Sequence, residues 1–224
     1  MDRALLVRVS GFTTDNLRAG ENALSGQLLI ATSNAGKLRE LRSVLADSHL
    51  ELLGLREFPN IESVEETGST FAENASLKAV GYALQAKILT LADDSGLVVD
   101  ALGGRPGIHS ARYVGPDATY PERIASLLGE LANTAEPHRS ARFVCAMTVS
   151  TGTGEIAFAT EKSCEGRLAA APRGTGGFGY DSIFVPDGYN QTFAELPAEI
   201  KNQISHRGRA LQELRKFLAS LTGL

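Results

Sequence analysis

Two adjacent acidic residues, Asp93 and Asp94, separate two short apolar segments of this 224-residue chain. The first segment covers residues 88–92, and the second resumes at Leu97 after Ser95-Gly96. Short apolar runs bounded by turn residues predict buried strands, and open α/β sheets bind ligands at the carboxyl ends of their strands. The acidic pair is therefore predicted to follow a strand, where it would suit a divalent cation and an activated water. A plain surface turn fits equally well, because Asp and Gly are common turn residues.

A strand–turn–helix unit is predicted near the start of the fold. Residues 28–32 form an apolar strand, Ser33-Asn34-Ala35-Gly36 is the turn, and apolar residues then recur at helical spacing from Lys37. The first turn of a helix favours anions, so a lysine there predicts a phosphate site. A solvated lysine on an exposed helix end is the alternative, and for Lys37 taken alone it is the better one.

A second acidic pair, Glu65-Glu66, follows a predicted strand at 51–55. Thr70-Phe71-Ala72-Glu73 is a capping box that begins a helix running to about Ala86, so Glu73 has a structural role and is left out of the site. Asn74 and Lys78 lie one helical turn apart and could face one ligand or form a solvated stripe. The spacing does not choose between them.

The second half of the chain predicts antiparallel pairing and a glycine-rich ligand segment. Residues 141–149 and 155–160 flank Thr151-Gly152-Thr153-Gly154, which is typical of a hairpin. Residues 174–181 place glycines beside aromatic rings, which suits a flat ligand, although a hairpin loop with rings directed into the core is the alternative. A final pair of helices is separated by residues 205–208. There, His206 and Arg207 oppose the helix dipole and suit a bound anion or base, or form a surface pair.

Composition limits the classes of function. With 43% hydrophobic and 21% charged residues the chain resembles an ordinary globular domain. The net charge of −4 provides no basic field for nucleic acid polymers. Two distant cysteines form no disulfide framework, which favours a reducing compartment and hence the cytoplasm. Residues 1–26 are predicted to be an extension, too short and too charged for a signal peptide or membrane span, ahead of a single domain at 27–224.

Seven segments together resemble the inosine/xanthosine triphosphate pyrophosphatase family, in the family's order from Leu28 to the C-terminus. They are Thr32 to Lys37, Glu65 to Gly68, Thr70 to Ala75, Ala92 to Gly96, Gly107 to Tyr113, Gly174 to Asp181 and Ile204 to Gly208. Each motif is weak alone, but seven in order are specific. Two positions depart from the family pattern, Ser182 where proline is frequent and His109 where tyrosine is common.

The resemblance implies an α/β fold of two lobes around a cleft, with a long mixed central sheet flanked by helices, and a homodimer. It implies Mg²⁺-dependent hydrolysis of the nucleoside triphosphates XTP, ITP and dITP to monophosphate and pyrophosphate. Asp94 would accept a proton and bind metal, Asp93 would support it, and Glu65 or Glu66 would complete the metal site. The substrate would contact Thr32, Ser33, Asn34, Ala35, Gly36, Lys37, Ser95, Phe178, Gly179, Tyr180, Asp181, Lys201, His206 and Arg207.

Two rival functions also fit these residues. A pyrophosphatase of related fold could act on pyrimidine or modified nucleotides, and a nucleotide sensor could bind without turnover. The pairing of Asp94 with Lys37 speaks against the sensor, since a sensor needs no base beside a metal. RNA binding is disfavoured by the acidic net charge.

Overall fold

The computed structural model describes residues 26–46, 48–135 and 138–222 of the chain. Apart from Gly26, the predicted N-terminal extension lies outside the described residues. Among the helices in these ranges, none is both long enough and apolar enough to cross a membrane.

Six strands form one mixed sheet in the order β2-β1-β3-β4-β5-β6. β1 pairs in parallel with β2 and with β3, whereas β6 is antiparallel to β5. The strands are β1 Gln27–Ile30, β2 Glu51–Gly54, β3 Leu89–Val99, β4 Ser140–Ser150, β5 Ile156–Leu168 and β6 Phe184–Pro186. The helices are α1 Ala35–Leu45, α2 Phe71–Ala86, α3 Tyr120–Glu130, α4 Ala198–Ile204 and α5 His206–Thr222. The predicted α/β fold with a mixed sheet and flanking helices is confirmed.

The prediction that the acidic pair follows the end of a strand is wrong, and so is the alternative of a surface turn, because β3 continues without interruption from Leu89 to Val99. Both aspartates lie inside this strand, and both are buried. Buried charges are tolerated when each has a partner of opposite sign, and here each aspartate faces a lysine from a different helix. Those lysines are distant in sequence, so the local pattern could not show that the strand would continue.

The chain forms two compact units, and each has its own core. Within the described residues the first unit comprises 26–94, 146–161 and 210–222, and the second comprises 95–145 and 162–209. The first unit packs α2 against β1 and β3 through Leu29, Ala79 and Ala92. The second is centred on aromatic rings, with Phe143 and Phe193 both packed on Phe184.

The start of α2, the hairpin and the break between the last two helices lie close to where the sequence predicts them. Thr70 Oγ1 accepts a hydrogen bond from Glu73 N, and the Glu73 carboxylate accepts one from Thr70 N, so the predicted capping box begins α2. The predicted hairpin lies between β4 and β5, although β5 extends beyond the predicted end to Leu168. The break between the last two helices is only Ser205, so His206 already opens α5.

Candidate active site

Asp94 is the centre of a buried polar cluster in the first unit. Its Oδ1 lies 3.4 Å from Lys78 Nζ, and its Oδ2 accepts a hydrogen bond of 3.3 Å from Asn74 Nδ2. Residues four apart in a helix share one face, so α2 presents Asn74 and Lys78 together to this carboxylate. The sequence left these two residues undecided between ligand and solvent, and the structure buries both beside Asp94.

Glu66 brings a second carboxylate to the same lysine. Its Oε1 lies 3.3 Å from Lys78 Nζ, and 30% of its side chain is exposed. The loop that carries it is tied to α2, because Gly68 N donates a 2.8 Å hydrogen bond to Asn74 Oδ1. Glu65 is exposed, and in the described part of the chain Lys78 forms its ion pairs with Glu66 and Asp94 and none with Glu65. Of the two acids named from the sequence, only Glu66 therefore reaches the cluster.

Lys37 makes a separate ion pair with Asp93. Its Nζ lies 3.0 Å from Asp93 Oδ2, and the Asp93 side chain is fully buried. Asp93 and Asp94 thus have different lysine partners, although Lys37 also lies close enough to Asp94 to lower the pKa of that carboxyl. The alternative of a solvated Lys37 is excluded by this pair.

The predicted phosphate segment is held by its own side chains. Asn34 is the N-cap of α1, and its Oδ1 accepts hydrogen bonds from Gly36 N at 2.9 Å and Lys37 N at 3.1 Å. Thr32 Oγ1 in turn accepts from Asn34 N at 3.2 Å. Ser33 and Ala35 are exposed. An anion that binds these backbone N–H groups must therefore displace the Asn34 side chain or share the N–H donors with it.

Burial and charge shift the proton affinity of the cluster. Burial is the largest single influence on Asp94 and raises its pKa, Lys78 and Lys37 lower it, Glu66 raises it, and the net shift of the pKa is upward. Burial alone would lower the pKa of Lys78, but the carboxylates of Asp94, Asp93 and Glu66 together raise it. Asp94 is thus a stronger proton acceptor than an ordinary aspartate, beside an ammonium that stays charged.

The donor set suits a cation that needs few protein ligands. Among the described residues, no three or more His, Cys, Asp or Glu side chains converge as a ligand group. Mg²⁺ binds through one or two carboxylates and takes its remaining ligands from water and substrate phosphates. Glu66 and Asp94 both contact one ammonium, so the residues present fit this mode of binding.

A second cluster of predicted residues forms in the second unit around Phe178. Lys201 Nζ lies 5.0 Å from the centre of the Phe178 ring, and the Arg207 guanidinium carbon lies 5.6 Å from it. Asp181 Oδ2 accepts from Phe178 N and pairs with Lys201 Nζ, each at 2.7 Å. Arg207 Nη2 donates to Ser95 Oγ, also at 2.7 Å. The structure therefore brings these five predicted residues together.

The structure also shows where three further residues that were predicted to contact the substrate lie, namely Tyr180, His206 and Gly179. Tyr180 is buried, and its hydroxyl donates to the Ser110 carbonyl at 3.0 Å. The His206 ring stacks on Phe143 with centroids 4.7 Å apart, so it lies against the core. Gly179 has a left-handed backbone with φ of +65°. Because His206 and Arg207 are both buried, the alternative of a surface His-Arg pair is excluded.

Comparison with known proteins identifies the family. The model of the Ham1 family matches residues 28–217. A dITP/XTP pyrophosphatase of Geobacillus kaustophilus is 49% identical over 197 residues, which cover 88% of this chain and 96% of that protein. One of Streptomyces coelicolor is 47% identical over 203 residues, covering 88% and 99%. The solved structure of a HAM1 protein from Coxiella burnetii has a TM-score of 0.79 and 40% identity, covering 86% of this chain and 98% of that one. The chain belongs to the Ham1 family.

Proposed function

We propose that this chain hydrolyses the deaminated purine nucleoside triphosphates XTP, ITP and dITP to the monophosphate and pyrophosphate. The observation that carries the proposal is the buried Asp94 carboxylate, which contacts Lys78 and Asn74 while Glu66 contacts the same lysine. A buried acid of raised pKa beside fixed positive charge suits activation of a water against a polyanion. The relatives described as dITP/XTP pyrophosphatases support the choice of substrates.

In the proposed mechanism Asp94 orients the attacking water and accepts its proton. Asn74 holds the carboxylate through Oδ2, which leaves the rotation of Asp94 restricted before the substrate arrives. Lys37 and Lys78 contribute two ammonium groups toward the charge of the triphosphate, and the first turn of α1 adds its backbone N–H groups. Asp93 acts through Lys37, because its carboxylate fixes the position of that ammonium.

We propose Mg²⁺ as the cofactor, held by Glu66 and Asp94. When bound, Mg²⁺ supplies charge neutralisation at the phosphate oxygens. Lys78 contacts both acids. The positive charge of its ammonium therefore offsets the repulsion between the two carboxylates when no cation is bound. Glu65 has no contact of this kind among the described residues, and Glu66 is therefore the proposed ligand of the two.

We propose that the Phe178 cluster binds the nucleoside. A base can stack on the Phe178 ring, and the cations Lys201 and Arg207 lie close to that ring. A side chain on Gly177, which has φ of +69°, would collide with the Asp181 carboxylate. The turn therefore stays bare of side chains at this point, and its backbone can approach a flat ligand.

The proposed selectivity rests on the 6-oxo group that hypoxanthine and xanthine share. Adenine carries a 6-amino donor there, so a pocket that donates at this position would leave two donors facing each other, which is costly when buried. Guanine also has a 6-oxo group and must be rejected at its 2-amino group. We propose that backbone atoms of residues 178–181 and the side chain of Arg207 contact these edges of the purine.

The proposal is tested by the products and by a panel of substrates. Purified protein with Mg²⁺ should release pyrophosphate, and no orthophosphate, from ITP, XTP and dITP, and should act far more slowly on ATP, dTTP and UTP. Preference for dTTP or UTP would support the rival pyrimidine pyrophosphatase. Binding of ITP without any release of pyrophosphate would support the sensor and contradict the enzyme.

We further propose a cytoplasmic homodimer, which the family resemblance implies. Within the described residues Cys145 and Cys164 form no disulfide and are both buried, which is compatible with a reducing compartment. Sedimentation equilibrium of the purified protein would measure the mass in solution, and a monomeric mass at micromolar concentration would contradict the dimer.

A further inference from the structure

Tyr120, the first residue of α3, has its ring held in place from two sides. The Arg123 guanidinium carbon lies 5.2 Å from the ring centre, and the ring meets Tyr180 edge-on with centroids 5.6 Å apart and planes at 87°. Arg123 is only 4% exposed, and its Nη2 donates to the carbonyls of Gly115 at 3.1 Å and Pro116 at 3.2 Å. An anchored cation over one face and a buried ring at the edge leave Tyr120 little freedom.

The hydroxyl edge of Tyr120 lies along the glycine turn of the nucleoside cluster. A methyl group on Gly179 would be 3.5 Å from Tyr120 Cε1, 3.7 Å from Cζ and 3.9 Å from the hydroxyl oxygen. Gly179 has no side chain, so nothing on that residue separates the turn from the phenol. The tyrosine therefore borders the segment that was predicted from the sequence to contact the substrate.

The Tyr120 hydroxyl has no hydrogen-bond partner among the described residues, unlike two neighbouring tyrosines. The Tyr180 hydroxyl donates to the Ser110 carbonyl, and the Tyr113 hydroxyl donates to the Glu130 carboxylate. Tyr120 is only partly buried, and its hydroxyl oxygen is not among the described polar atoms that are buried without a partner, so it is open to solvent or to a ligand. A polar group that ordered residues hold in place and leave uncommitted is available for recognition.

Two of the three charges that act on Tyr120 belong to the nucleoside cluster. Burial is the largest influence and raises the pKa of the Tyr120 phenol, while Arg123 and Arg207 lower it and Asp181 raises it further. The net direction is upward, so the phenol keeps its proton at neutral pH and can donate a hydrogen bond. Arg207 and Asp181 are close enough to act on this phenol, and both are residues of the proposed nucleoside site.

We propose that Tyr120 is a further substrate-contacting residue, whose hydroxyl donates to the oxo edge of the purine beside Gly179. This inference rests on the proposed function, since it assigns the donor that selection for a 6-oxo purine requires. Neither the sequence motifs nor the family resemblance pointed to this position. A phenol donor meets an oxo acceptor favourably and a 6-amino donor unfavourably, so one residue would serve both affinity and discrimination.

The test compares Tyr120→Phe, which keeps the ring, with Tyr189→Phe as the matched control. Tyr189 is also partly buried in the second unit, its hydroxyl has no partner among the described residues, and it lies outside the proposed nucleoside cluster. For each protein, the Kd for the α,β-imido analogues of ITP and ATP, the KM and kcat for ITP and the melting temperature are measured.

Tyr120→Phe is expected to weaken binding of the ITP analogue about tenfold. The preference for the ITP analogue over the ATP analogue should fall by a similar factor, and KM should rise with kcat and the melting temperature little changed. Tyr189→Phe should match the wild type in every measurement. A merely structural tyrosine would change the melting temperature and leave the preference between the analogues intact.

Unchanged affinity and unchanged preference in Tyr120→Phe would overturn the assignment. The outcome for the proposed function is read separately, from turnover of the wild type. If the wild type binds the ITP analogue but releases no pyrophosphate from ITP, the hydrolase proposal fails, while weakened binding by Tyr120→Phe still supports the contact. If the wild type binds neither analogue, both proposals are overturned.

Discussion

At the scale of single residues, the two adjacent aspartates have different partners. Asp93 is fully buried and paired with Lys37, whereas Asp94 contacts Lys78 and Asn74 and keeps 9% of its side chain exposed. A carboxylate without exposure is suited to holding a lysine in place. An acid that retains some exposure and a raised pKa is better suited to meet a water. This division agrees with the prediction of Asp94 as base and Asp93 as support, which remains a prediction.

Asn74 and Lys78 are the two residues of the cluster that the sequence left undecided. Their spacing showed a shared helix face but not whether that face met solvent or an acid. Asp94 lies on another element, and periodicity within one helix carries no information about such a contact. The signal that could have pointed to them is their place in the first turns of α2, directly after the loop with the acidic pair.

Glutamine substitutions at Glu65 and Glu66 separate the two acids. Glu66→Gln should raise the Mg²⁺ concentration for half-maximal pyrophosphate release by about tenfold or more, because it removes a carboxylate next to the Lys78–Asp94 pair. Glu65→Gln is the matched control and should leave the Mg²⁺ dependence unchanged, since that side chain is exposed and forms no ion pair with Lys78 among the described residues. Equal effects of both substitutions, or a larger effect at Glu65, would contradict the assignment of Glu66.

At the scale of elements, α2 organises the acidic cluster. The capping box at Thr70 sets where the helix begins, and this sets which residues face β3. The loop before the helix also packs on it, since a methyl group on Gly81 would lie 2.7 Å from Val64 Cγ2. Val64 is two residues before Glu66, so the close approach at Gly81 helps to position the loop that carries this acid.

Two glycine-to-alanine substitutions in helices should have opposite effects. Gly81→Ala forces Val64 away from α2 and should destabilise the fold by about 1–3 kcal/mol through overpacking, with reduced pyrophosphate release because Glu66 shifts. Gly129→Ala in α3 meets no atom within 4 Å and should stabilise by about 0.5–1 kcal/mol through helix propensity. Urea denaturation of both variants gives the free energies of unfolding. A stabilised Gly81→Ala protein with full activity would show that this contact does not position the loop.

The strand β3 shows where local reasoning about an element fails. Asp-Asp-Ser-Gly is a turn sequence by its composition, yet it lies within an uninterrupted strand. The local preference is overridden because ion pairs with Lys37 and Lys78 neutralise the two acids. A turn that is favoured by composition can be a strand when distant residues supply the opposite charges.

At the scale of the whole molecule, the fold was more predictable than the site. The capping box at Thr70 and the hairpin turn are local features that the sequence shows directly, and the family resemblance implied the α/β fold with a mixed sheet. The order of seven motifs led to the family that the comparisons confirm. The stacking of His206 on Phe143 and the commitment of the Tyr180 hydroxyl to Ser110 join residues far apart in sequence, so no local pattern predicted them.

The account depends most on Asp94 as the proton acceptor for an attacking water, and one comparison tests this directly. Pyrophosphate release from ITP is measured for the wild type, for Asp94→Asn and for Asp117→Asn, an exposed acid outside both clusters. Asp94→Asn should stay folded, because an amide next to Lys78 and Asn74 has nearly the same shape, yet lose pyrophosphate release by about a thousandfold or more. Asp117→Asn should match the wild type. A folded Asp94→Asn protein with undiminished release would contradict the account.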